Sequence, residues 1–154
     1  MRKQSKAKRS PEGAVLTDLI LETFRLNGRL LAAGDRLTGD LGLSSARWQV
    51  MGAIEDAPLP VAQIARNMGL TRQAVQRVAN DLAGEGLVAF AENPDHRRSK
   101  LLRLTDEGRA VLEEVGRRQV RWSNRLAAGL TADAIDEALT VLRTVRQRLD
   151  AAKP

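Results

Sequence analysis

Two short helical patterns separated by Gly69 and Leu70 leave the middle of this chain little freedom of architecture. Residues Val61–Met68 repeat apolar positions at helical spacing and stop at a glycine. Thr71 then stands where a helix N-cap belongs, and the stretch behind it runs to about Gly84. Two helices joined by a turn of three or four residues containing glycine form a helix-turn-helix. The small Ala65 sits near the expected crossing, where the two helices approach closely. On the second helix Val75, Val78 and Leu82 share one face, which leaves Arg72, Gln73, Gln76, Arg77 and Asn80 on the others. Long polar groups of that kind hydrogen-bond to base edges and phosphates.

The next segment extends the unit. Gly86 ends the second helix, and residues 87–92 and 99–104 read as a strand and its return. Between them the turn 93–98 (NPDHRR) places Arg97 and Arg98 at or near its tip. Pro94 lies outside the paired region and removes no ladder bond. The pattern predicts a β-hairpin wing on the helix-turn-helix.

The flanks read as helices. Pro11 and Glu12 suit the first turn of a long helix whose apolar positions include Val15, Leu19, Ile20, Phe24, Leu30 and Leu31, with Gly34 as its expected stop. Residues 37–43 read as a loop, and Ser44 or Ser45 can cap a short helix carrying Trp48, Val50, Met51 and Ile54. Pro60 is expected at the first position of the helix that follows. Thr105 is expected to cap a long helix that stops near Gly129, and Thr131 to cap a last helix with Ile135, Leu139, Val141, Leu142, Val145 and Leu149. The fold class is therefore mostly α with a small β-hairpin wing. The expected organisation is a basic flexible tail over 1–10, an N-terminal dimerisation helix over 11–36, a winged helix-turn-helix DNA-binding domain over 41–105, and C-terminal dimerisation helices over 106–154. Long helices with one narrow apolar stripe are a first sign of oligomerisation, because they bury that stripe in a second subunit.

Composition removes several function classes. The 154 residues include no cysteine, which excludes disulfides, thiolate metal sites and thiol redox sensing, and one histidine, His96, offers little to a metal. No metal, cofactor or catalytic residue is expected: there is no Gly-rich phosphate loop, and Asp133, Asp136 and Glu137 read as capping and surface charges. No apolar run reaches the roughly 18 residues that span a bilayer, and the basic N-terminus lacks a following apolar segment, so the expected compartment is the cytoplasm. The net charge of +6 favours an anionic partner. Five of those charges lie in residues 1–10, as a solvated tail or one that also touches phosphates; residues 60–104 hold seven cations against four acids.

This order of elements, carried by residues 61–65 (VAQIA), 69–78 (GLTRQAVQRV), 82–88 (LAGEGLV), 93–98 (NPDHRR) and 103–108 (RLTDEG), resembles the MarR family of bacterial transcription regulators. The resemblance covers nearly the whole chain and is strongest over residues 48–104. It implies a homodimer with interlocked terminal helices that binds double-stranded DNA at a pseudo-palindromic operator, commonly as a repressor. Each recognition helix would enter a major groove, with half-sites about one helical turn apart. In that frame Gln73, Gln76 and Arg77 are the expected base contacts, with Thr71 and Arg72 contacting phosphate or base near the helix start. Arg97 and Arg98 either enter a minor groove or bind phosphates, unless one of them is engaged by Asp95 in a structural ion pair. The family's usual wing aspartate is replaced by His96, which reads as an exposed turn residue. The resemblance also implies a small aromatic or anionic effector near Asn27, Arg47, Trp48 and Met51; the alternative for Trp48 and Met51 is plain core. A competing function is a winged-helix module for protein–protein contact, which an acidic or apolar recognition face would favour.

Overall fold

A computed structural model describes residues 8–96 and 98–152. Met1–Ala7 of the expected basic tail and the wing residue Arg97 lie outside them. The helices are α1 (Pro11–Thr38), α2 (Ser45–Gly52), α3 (Val61–Met68), α4 (Arg72–Gly84), α5 (Asp106–Leu126) and α6 (Ala132–Ala151). The strands are β1 (Leu59–Pro60), β2 (Val88–Ala91) and β3 (Leu101–Leu104). The chain divides into two compact units that meet at Val115 and Gly116, within α5.

The first unit holds the apolar core. Met51 and Ile54 from the α2 region, Ile64 from α3, Val75 and Leu82 from α4, Leu102 from β3 and Val115 from α5 are almost wholly buried and belong to one cluster. The predicted caps explain where its helices begin. Ser44 and Thr71 accept from the backbone N–H groups of Arg47 (3.3 Å) and Ala74 (3.2 Å), which satisfies donors that an uncapped helix leaves open. At the end of α3, Gly69 adopts a left-handed backbone (φ 65°) while the Leu70 N–H donates to the Ala65 carbonyl at 2.9 Å. This Schellman closure turns the chain toward α4 within two residues.

The sheet is antiparallel in the order β1-β3-β2, with Val88 opposite Leu104 and Ala91 opposite Leu101. Both hairpin strands are shorter than their sequence patterns. The third strand, β1, was not expected: Leu59 pairs with Leu102 and Pro60 with Leu101, so Pro60 ends an edge strand and precedes α3 instead of opening it. At the base of the hairpin Thr105 binds the wing to α5. Its hydroxyl lies 2.6 Å from the Gly86 carbonyl oxygen and 3.1 Å from that of Leu87, and it accepts from the Gly108 N–H at 3.0 Å. A side chain at Gly108 would collide with the Leu87 carbonyl, which accounts for glycine three residues after the cap.

Gly34 corrects the expected first boundary. It does not stop the helix; α1 continues to Thr38, followed by a 3-10 turn over Gly39–Leu41. The glycine is there because α2 crosses at that point, and a Cβ would overlap the Ser45 hydroxyl. That hydroxyl donates to the Leu31 carbonyl (2.6 Å), and the Ser45 N–H donates to Asp35 Oδ1 (2.7 Å). Buried Thr38 completes the joint, its hydroxyl 2.8 Å from the Leu43 carbonyl oxygen. The remainder of α1 is different: Val15, Ile20, Leu21, Phe24, Leu26 and Leu30 are all exposed.

The second unit consists of the end of α5 and α6. Thr131 caps α6 as expected, accepting from the Ala134 N–H at 3.2 Å. No described residue of α6 is buried, and Ile135, Leu139, Val141, Leu142 and Leu149 are exposed.

Candidate nucleic-acid interface

The α4 helix presents its polar residues because Val75, Ala79 and Leu82 anchor its opposite face in the core. Thr71, Arg72, Gln73, Arg77 and Asn80 are exposed and Gln76 is half-buried. Gln76 donates its amide to Asn80 Oδ1 at 2.9 Å, one turn further along. That bond holds the two amides side by side, and both keep donors and acceptors for an incoming base edge. Thr71 uses its hydroxyl as the helix cap, so what it offers a ligand is its place at the positive end of the helix.

The wing tip turns on Asn93, whose Oδ1 accepts from the Asp95 N–H at 3.0 Å, while the Ser99 N–H donates to the His96 carbonyl at 2.9 Å. His96 is exposed, as expected for a turn residue. Among the described residues, Asp95 forms no ion pair with Arg98, which stays exposed. The open question over an Asp95–Arg97 pair lies outside the described residues.

Helix and wing converge on a cleft of about 350 Å³ lined by Val61, Arg72, Gln76, Phe90, Arg98, Ser99 and Lys100. Val61 and Phe90 form its apolar floor; three cations, a hydroxyl and an amide form its rim. Such a set binds phosphate oxygens, with arginine offering paired donors and lysine a point charge. Of the expected contacts, Arg72, Gln76 and Arg98 are brought together here, whereas Gln73 and Arg77 lie elsewhere along α4. Ser99 and Lys100 were not among the expected site residues. A signal existed, since Lys100 stands in the basic middle segment, but only the return of the chain from the wing tip brings it into the cleft that Arg72 lines.

The four residues assigned to an effector differ in exposure. Asn27 is exposed on α1, Met51 is fully buried in the core, and Trp48 is half-buried against that core. Arg47 is already engaged, donating to the Gly42 carbonyl at 2.5 Å and pairing with Glu85. Among the described residues no cluster of three His, Asp or Glu side chains could hold a metal, and no helix is long and apolar enough to cross a membrane. Glu12, at the start of α1 and away from the cleft, has its carboxyl pulled below the usual range by its own backbone N–H and by the Ser10 hydroxyl.

Comparison with known proteins agrees with this architecture. A MarR-family sequence model matches residues 41–99. Over 136 residues the chain is 41% identical to the uncharacterized protein Rv2011c of Mycobacterium tuberculosis, covering 88% of this chain and 95% of that one. It is 27% identical over 134 residues to the HTH-type transcriptional regulator TcaR of Staphylococcus aureus, covering 84% and 88%. Among solved structures, the transcriptional repressor CouR bound to a 23-mer DNA duplex superposes with a TM-score of 0.74 at 26% identity, covering 90% of this chain and 99% of that one. A wing of three short strands, a recognition helix with a polar face and these relatives lead to one assignment: the chain belongs to the MarR family, a non-enzymatic class of winged-helix, DNA-binding transcription regulators.

Proposed function

We propose that this protein is a cytoplasmic repressor that binds a pseudo-palindromic operator as a homodimer, with α4 in the major groove and the wing beside it. The observation that carries the reading is the cleft, where recognition helix and wing contribute Arg72, Gln76, Arg98, Ser99 and Lys100 to one cationic rim. Gln73, Gln76 and Arg77 read base edges; Thr71, Arg72, Arg97 and Arg98 hold phosphates or the adjoining minor groove. Dimerisation is supported by the apolar side chains that α1 and α6 leave exposed in a single chain, Phe24 at 70% and Leu149 at 67% among them. Repression is supported by the likeness to CouR, described as a repressor on DNA. The effector expectation rests on the exposed Asn27 and the half-buried Trp48, because Met51 offers no surface and Arg47 is engaged by Gly42 and Glu85.

The test is binding to the region upstream of the protein's own gene, against a shuffled duplex, over a salt series. A preference of about a thousandfold, falling steeply with salt, is expected. Arg77→Ala should lose roughly 1–3 kcal/mol of discrimination between duplexes. Arg98→Ala should instead weaken both and lower the salt slope by about one. Absence of binding to either duplex at low salt would overturn this reading in favour of a protein-interaction module.

A further inference from the structure

The recognition helix is held at both ends. Its start is capped by Thr71; its end is tied down by a residue from a different element. Arg47 lies in the first turn of α2, and its side chain is only 18% exposed. One guanidinium nitrogen donates to the Gly42 carbonyl, in the turn that follows α1. The other terminal nitrogen forms an ion pair with Glu85, the residue that ends α4. Two positions before Arg47, Ser45 is hydrogen-bonded to Leu31 and Asp35 of α1. The first turn of α2 is thus bonded to α1 on one side and to the end of α4 on the other.

We infer that Arg47 and Glu85 are positioning residues that fix the recognition helix relative to α1, and so set the half-site spacing the dimer accepts. The inference rests on the reading of this protein as a dimeric DNA binder. In such a dimer α1 belongs to the interface, and any change in tilt between α1 and α4 changes the separation of the two recognition helices. Arginine suits the task because its planar fork serves the carbonyl and the carboxylate together, which lysine cannot do from one nitrogen. The pair is shielded on the arginine side, so salt screens it less than an exposed surface pair. Glu85 sits away from the DNA-facing cleft, so it acts on DNA only through the helix it ends.

The experiment begins with the wild-type protein selecting a duplex from a randomised library. Binding is then measured to that duplex and to versions with one base pair added or removed between half-sites, with melting temperature recorded for each variant. Glu85→Ala, a change at a half-exposed side chain, should keep a near-wild-type melting temperature. Its preference for the native spacing should shrink about tenfold, within the range of couplings carried by such contacts. Arg47→Lys should fall between the two. Combining Arg47→Glu with Glu85→Arg re-forms the ion pair in reverse but leaves the Gly42 carbonyl without its donor, so it should recover only part of the preference lost by either single change. An unchanged spacing preference in Glu85→Ala, or equal weakening on every duplex with a lowered melting temperature, overturns the inference while leaving DNA binding intact. A wild-type protein that selects no duplex overturns the DNA-binding reading and this inference together.

Discussion

The winged core and the terminal helices solve the same problem in opposite ways. In the core, aliphatic side chains from α2, α3, α4, α5 and the sheet bury one another, and the helix ends are closed by Ser44, Thr71 and the Gly69 turn. In α1 and α6 the apolar residues are as numerous but stay exposed, and only Gly34 and Thr38 of α1 are buried. A helix with an uncovered apolar stripe gains little from folding in one chain, because its stability in water comes mainly from packing that stripe. The contrast divides the sequence by burial: the middle buries its apolar residues within the chain, and the ends leave most of theirs exposed.

The largest effect should come from breaking the buried side. Ile64→Ala removes a fully buried side chain at the α3–α4 contact and should cost roughly 2–5 kcal/mol in denaturant unfolding. Next is the uncovered side. Phe24→Glu should leave the unfolding of the core nearly unchanged while weakening self-association by roughly 2 kcal/mol or more, read as a shift from dimer to monomer by light scattering. If this substitution destabilised the core instead, the division between regions would be wrong. Gly34→Ala tests the joint between the regions: its methyl meets the Ser45 hydroxyl, with an expected loss of about 1–3 kcal/mol in thermal unfolding. The smallest effect should be Thr71→Ala, about 1 kcal/mol from the lost cap, seen as faster hydrogen exchange in the first turn of α4.

These contrasts also mark what could be read from residues in order. The helix-turn-helix, the wing and the long flanking helices were legible because each depends on contacts between near neighbours, through periodicity, caps and turn glycines. Gly34 was misread for a definite reason. A glycine that ends a helix and one that admits a crossing helix look alike in sequence, and only the position of Ser45 separates them. Likewise β1 is two residues with no alternating pattern of its own, and it exists because β3 offers an edge. In the candidate site, Arg72, Gln76 and Arg98 were legible as exposed polar residues on the expected elements. Lys100 and Ser99 were not, since their role depends on how the return strand approaches α4.

Spacings of a few residues encode a winged helix-turn-helix with a polar, basic recognition face between long amphipathic helices, and those features can be read from the chain in order. Packing in three dimensions carries α1 through Gly34, lets Arg47 tie the end of α4 to the turn after α1, and gives wing and helix one cationic cleft. Each of those depends on residues from different elements, brought together by burial of a common core, and no local pattern records which partner a side chain will meet.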